Sequence, residues 1–393
     1  MGSSSMTVIK NARIICSDRI IPNGSVAFAD GKIIPLPQFV TDAHIIDAKG
    51  QYLSPGFIDL HSHGGGGHDF MDGTMEAFLG TAELHARHGT TTLIPTAVSG
   101  SFDEVKKLFE ILDDVQFKNT SGADMPGLHL EGPYFAPSQA GAQDPRFLKV
   151  PDPTEYLPIL QSSDKLLRWS AACELDGAMD FAAACREHGV LCAIAHSDAD
   201  YATVCEAIRH GYSHLTHFYS CMSTVHRVNA YRVCGIIEAG YLCNDLTVEI
   251  IADGCHLPAE LLQMIYRFIG PERTCLVTDS MRGAGQPDGT ESIIGSLANG
   301  LPVIIEDGVA KLPDRSAFAG SVATTDRLLH TMVNTAKIPL ADAVKMLTET
   351  PARIQHLTDR GSLEIGKRAD LVLFNDALQV TRTIVKGNTV FLK

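Results

Sequence analysis

The chain alternates short apolar runs that stop on polar residues with longer stretches of helical spacing. The runs are "GFIDLHSHG", "TTTLIPT", "GLHLEG", "RWSAACEL", "VLCAIAHSD", "SHLTHFYS", "TVEIIADGCH" and "TCLVTDS". Between many of them lie stretches such as "TMEAFLGTAELHARHG", "AMDFAAACREHG" and "DYATVCEAIRHG". Each of these three closes on Gly, the residue favoured just past a helix C-terminus. Short apolar runs alternating with helices predict β/α units around a parallel sheet. About eight such units predict an α/β fold, a (β/α)8 TIM-like barrel, over residues 55–356.

The flanks have a different texture. "TVIKNARIIC", "GSVAFADGKIIPL" and "AHIIDAKGQYL" alternate like strands, with a hairpin at "ADGK". The final stretch, "GSLEIGKRADLVLFNDALQVTRTIVKGNTVFLK", repeats that pattern. Residues 6–54 and 357–393 are therefore expected to form one small β-sandwich domain built from both ends.

Composition narrows the function. The 393 residues are 45% hydrophobic and 20% charged, an ordinary globular balance with enough apolar material for a large core. A formal charge of −14 argues against nucleic acid or an anionic membrane as partner, since both call for a basic face. No apolar run approaches the roughly 18 residues of a membrane span. The opening "MGSSS" has no signal-peptide core and reads as a cloning remnant. Ten cysteines without a C-x-x-C pair read as small core residues in a reducing compartment, so the cytoplasm is expected.

The candidate chemistry lies at the ends of the apolar runs. His61 and His63 are two apart, so on a strand both face one way and can reach one ion. Glu131 ends an apolar run, where burial favours a salt bridge or a metal. His129, two residues earlier, is either a supporting partner or core. His196 and His217 end two successive runs and are spaced by one β/α unit. His214 lies near His217 but by parity faces the other way. Asp279 ends the last run and reads either as a helix N-cap or as a general base beside a metal. His256 is either an electrostatic contact or a loop histidine. Together these residues fall at strand ends 1, 3, 5, 6 and 8. Nitrogen and oxygen donors without cysteine suit a divalent ion, Zn first, with Fe, Mn or Co as alternatives.

On these residues the sequence resembles the amidohydrolase superfamily, and within it the N-acetylglucosamine-6-phosphate deacetylase family. The landmarks are "LSPGFIDLHSHG", "GLHLEGPYFAPSQAGAQDP", "AHSDA", "HLTHFYSCMS", "ADGCHLP", "LVTDSMRGAG" and "FAGSVATTDRLL". The resemblance implies a metal-dependent deacetylase of an N-acetyl amino sugar phosphate, acting as a homodimer with one or two ions per chain. It implies that Glu131, His196 and His217 hold the principal ion. His61 and His63 would hold a second, Glu131 would bridge the two, and Asp279 would be a metal ligand as well as the general base and then acid. Gln143 is implied near the acetyl group, and His256 at the sugar or its phosphate. The phosphate end departs from the family pattern. Ser220 and Cys221 replace an Asn-Ala pair, and "HRVNAYRVCG" replaces an Arg-Glu-Pro-Gly stretch, leaving Arg227 or Arg232 as candidates for the phosphate.

Overall fold

The computed structural model describes residues 6–38 and 42–393; "MGSSS" lies outside them. The eight apolar runs form the eight strands of a barrel. These are Phe57–Ser62, Thr90–Ala97, Leu128–Glu131, Leu166–Ala171, Leu191–Ile194, Tyr212–Leu215, Thr247–Ile250 and Thr274–Leu276. Each pairs in parallel with the next, so sheet order follows chain order. The ring closes just past the last strand. Asp279 N–H donates to His61 O at 2.8 Å, and Ser62 bridges Ser280. Asp59 fastens this seam from within by accepting from Thr278 Oγ1 at 2.5 Å and Thr278 N at 3.1 Å. Burial pushes its carboxyl up to about 6.

The helices form where their sequence signals lie. Thr74 caps Met75–Arg87 by accepting from Ala77 N, and Asp200 caps Tyr201–His210 by accepting from Thr203 N. Gly89, Gly189 and Gly211 follow three helices with positive φ, as the Gly endings predict. Their apolar faces join one barrel-wide core that includes Trp169, Phe181, Leu215 and Leu262.

Thr7–Ile15, Ile20–Ala29, Lys32–Ile34, His44–Asp47 and Tyr52–Pro55 join Leu371–Phe374, Val380–Val385 and Asn388–Leu392 in a single eight-stranded mixed sheet. Ile9, Phe28, Ile33, Ile46, Leu53, Leu371 and Ile384 belong to one apolar cluster, so the sheet curls over its own core. Leu371–Phe374 shows why this unit stays on the barrel. Leu371 and Leu373 enter the sheet's own cluster, while Val372 and Phe374 enter the barrel core. The period of two thus serves both sides.

Two features were not in the sequence pattern. A three-stranded antiparallel sheet, Glu291–Ile294, Leu301–Glu306 and Val309–Lys311, follows the last barrel strand and packs Ile294, Val303 and Ala310 against Met281. The cysteines also correct an expectation. All ten are free, but only Cys173, Cys185, Cys192 and Cys275 are buried. The other six are half-buried.

Asp124, just before the third barrel strand, ties the barrel to the curled sheet. It meets Arg360 Nη1 at 3.0 Å, Arg368 Nη1 at 2.6 Å and Lys386 Nζ at 2.6 Å. Burial opposes its ionisation, but Arg368 and Lys386 hold its pKa well below the usual carboxylate range. The folded-state pKa is depressed, so the contribution is present above the unfolded pKa of about 4 and fades as pH falls below it. Asp124→Asn is expected to destabilise the protein by about 2 kcal/mol at pH 7, because it removes the one charge that Arg360, Arg368 and Lys386 share, while Arg360 keeps Asp359 and Arg368 keeps Asp370. Urea denaturation should read that difference at pH 7 and find it shrinking below about pH 4.

Candidate active site

The barrel places its polar strand ends in one buried cluster. His61, His63 and Asp279 form one group of donors, and Glu131, His196 and His217 another; within each group one ligand atom per residue lies within 4.8 Å of the others. Glu131 joins the two. Its Oε1 is 3.0 Å from His217 Nε2, 3.4 Å from His196 Nε2 and 3.6 Å from His61 Nε2, and its Oε2 is 3.2 Å from His63 Nε2. Asp279 Oδ1 lies 3.1 Å from His63 Nε2 and 3.4 Å from His61 Nε2.

Local backbone geometry explains how three of these residues reach the cluster. His61 is the penultimate residue of its strand and His63 follows directly after its end. His196, His217 and Asp279 instead lie two or three residues beyond their strands, with φ of 46°, 33° and 46°. Left-handed backbone is costly for residues with a Cβ and persists where the surroundings over-determine it. Here it turns each side chain back over the barrel mouth. His214 is not part of this cluster: its Nε2 lies 3.3 Å from Glu249 Oε2, while His217 Nε2 lies 3.0 Å from Glu131 Oε1.

The donor chemistry fits a divalent cation. His196 Nδ1 is 2.8 Å from Gln139 O, His63 Nδ1 is 3.2 Å from Thr96 O, and His61 Nδ1 is 2.7 Å from Glu249 Oε1. Each partner only accepts, so each outer nitrogen carries the proton and the neutral ring presents its Nε2 lone pair inward. His61 Nε2 and His63 Nε2 are then 3.2 Å apart, as are His196 Nε2 and His217 Nε2. Nitrogens that close must share a proton or a metal cation. The protonation energetics say the same. Burial alone would depress His61, yet Asp279, Glu131 and Glu249 outweigh it and raise its pKa to about 9. Burial likewise opposes charging His63 and His196, and their carboxylate and thiol neighbours override it. Glu131 is held well below the usual range by His61, His196 and His217 against its burial. The site is built to hold cationic charge among carboxylates.

A cavity of about 220 Å³ opens onto the cluster, lined in part by Gln143, Ser220, Cys221, His256, Ile294 and Phe318. Gln143 donates from Nε2 to Glu131 Oε2 at 2.8 Å and accepts from Ser99 N at 3.0 Å. Much of its amide therefore steadies Glu131. His256 rests on Phe318, ring centroids 4.8 Å apart, with Nδ1 2.8 Å from Asp253 Oδ2. Asp253 is buried, and Arg327 holds its carbonyl. His129 packs edge-on against His61 and bonds Ser170 Oγ and Thr96 Oγ1, so it supports the site from the barrel interior. Burial first, and Arg168 second, keep it well below the ordinary histidine pKa.

Arg227 is not brought to this cavity. It lies on an exposed hairpin of His226–Val228 and Tyr231–Val233, directly across from Arg232. Among the described residues no Lys or Arg lines this cavity. The sequence reading also missed Glu249 and Arg168, both fully buried and 2.5 Å apart beneath the cluster. Their signal was present as a charged residue in the middle of each of two apolar barrel runs, "TVEII" and "LLRWSA".

Residues 52–390 match the model of the amidohydrolase family. An N-acetylglucosamine-6-phosphate deacetylase of Lysinibacillus sphaericus is 30% identical over 97% of this chain and 96% of its own length. An N-acetylgalactosamine-6-phosphate deacetylase of Escherichia coli O157:H7 is 29% identical over 97% of this chain and 98% of its own. Among solved structures, a Mycobacterium smegmatis N-acetyl-D-glucosamine-6-phosphate deacetylase mutant in complex with N-acetyl-D-glucosamine-6-phosphate superposes with a TM-score of 0.89. It is 27% identical, and the match covers 99% of this chain and 100% of that one. The family implies a divalent metal, which the two donor groups can accommodate. By its barrel, its donor groups and these matches, the chain belongs to the amidohydrolase family and, within it, to the N-acetylglucosamine-6-phosphate deacetylases.

Proposed function

We propose that this chain hydrolyses the acetamide of N-acetylglucosamine 6-phosphate to glucosamine 6-phosphate and acetate, as a step in amino-sugar use. The observation that carries the reading is the meeting of Asp279 with two donor groups at the floor of a sugar-sized cavity. Glu131, His196 and His217 would hold the principal ion and His61 and His63 the second, zinc being the first choice. A bound divalent ion supplies Lewis-acid polarisation and favours deprotonation of water. Asp279 accepts the proton of the attacking water and returns it to the amine nitrogen as the C–N bond breaks. Its carboxylate lies below its ordinary pKa despite burial, so it stands ionised and can accept first. His256, fixed by Asp253, points an imidazole edge at the substrate's oxygens. Ser220 and Cys221 line the sugar end.

The missing cation in the cavity bears on the phosphate. We read the protein as a cytoplasmic homodimer in which Arg227 or Arg232 of one copy reaches the cavity of the other. The free cysteines favour that compartment, and Tyr231 and Val228 are 79% and 47% exposed on the same hairpin. The test is acetate release from zinc-loaded protein on N-acetylglucosamine 6-phosphate, its unphosphorylated form and N-acetylgalactosamine 6-phosphate. Expected is a preference of at least about a hundredfold for the first over the second. Arg227→Ala should erase most of it by raising KM, in keeping with the loss of a charged contact of about 2–3 kcal/mol. Equal rates with and without phosphate would refute the phosphate reading. Preference for the galacto epimer would move the substrate to that sugar.

A further inference from the structure

The four clustered histidines are not secured alike. His63 and His196 rest their outer nitrogens on the backbone carbonyls of Thr96 and Gln139, which no substitution there removes. His217 Nδ1 has no partner. His61 alone is secured by a side chain, Glu249, at 2.7 Å. A carboxylate only accepts, so it fixes the proton on Nδ1 and leaves the Nε2 lone pair facing His63, Asp279 and Glu131.

Glu249 is itself fully committed. The Oε1 that takes His61 also accepts His217 N–H at 3.0 Å. Its Oε2 lies 2.5 Å from Arg168 Nη1 and 3.3 Å from His214 Nε2. Arg168 also donates to Thr216 Oγ1 at 3.0 Å, and both charges are fully buried. Glu249, His214 and Cys275 lie close enough to suggest a third ion, but Arg168 already supplies positive charge there. The pair therefore acts on the site above it.

Resting on the metal-dependent reading, we propose that Glu249, held by Arg168, is the positioning residue that makes His61 and His63 a metal site, so that residue 249 decides whether the chain holds one ion or two. The second ion depends on this side chain because it orients the His61 imidazole itself, whereas in the Glu131–His196–His217 site it touches only the backbone N–H of His217.

Chelator-stripped protein would be titrated with zinc, and ions per chain counted by mass spectrometry after desalting, with acetate release recorded beside it. Wild type should hold two. Glu249→Gln keeps an acceptor but loses the charge, and should weaken one site by about 10–100-fold while sparing the other. Arg168→Met with Glu249→Leu removes both charges together, which buried pairs tolerate, and should hold one ion. Should that double variant not fold, the graded loss in Glu249→Gln decides. Two ions at wild-type affinity in the folded variants, or a single ion in wild type, would overturn the inference. A two-to-one change in a protein that releases no acetate would uphold it and overturn the deacetylase reading instead.

Discussion

Asp279→Asn should lower turnover in acetate release by about a thousandfold, the usual worth of a positioned general base. The amide keeps the shape of the side chain and an oxygen 3.1 Å from His63, but it cannot take a proton from water. The fold should tolerate the change. Asp279 is held by its backbone, donating to His61 O and accepting from Ser321 N–H. Gly320 lies against it at positive φ, with room for no side chain. The Glu131–His196–His217 group does not include Asp279, so the principal ion should stay. Steady-state kinetics beside metal analysis would check this. Near-normal turnover would strip Asp279 of the proposed role, and a loss that followed metal content would assign its effect to the His61–His63–Asp279 donor group instead.

Glu131→Gln should do the reverse, removing metal first and activity with it. Glu131 oxygens stand within 3.6 Å of the Nε2 atoms of His61, His63, His196 and His217, so one side chain serves both donor groups. Replacing a carboxylate by an amide removes a full negative charge from the point where two cations would meet. Zinc affinity should fall by more than the 10–100-fold typical of losing an outer partner. The stripped variant should regain little acetate release when zinc is returned. Retention of two ions per chain would show that the histidines suffice.

What the sequence disclosed follows the chemistry of strand ends. His61, Glu131, His196, His217 and Asp279 each interrupt an apolar run where a polar group has no reason to be buried, and all five converge. The barrel was legible because its strands are continuous apolar runs, as parallel strands covered on both faces must be. Parity alone could not place His217, because parity holds only within a strand and the strand ends at Leu215 before φ turns positive at His217. Glu249 and Arg168 were passed over because a lone charge in a strand resembles a solvent-facing one. Only the closed barrel brings the two together. Gln143 was placed by resemblance at the acetyl group, and its bond to Glu131 is visible only when the loop after the third strand folds back. The small sheet at 291–311 lay hidden among turn-rich residues with no helix to frame it.

The strand that faces two cores also sets an order of assembly. Tyr52–Pro55 finds its partner in Leu371–Phe374, separated from it in sequence by the entire barrel. On the ribosome the first five strands emerge early and must wait, with Ile9, Phe28 and Leu53 uncovered, while every barrel strand is made. Loop closure over that span is slow, and an unpaired sheet edge invites other chains. The protein's most exposed moment is therefore its own synthesis, when a holding chaperone that covers residues 7–55 would raise the yield of folded enzyme without touching the site.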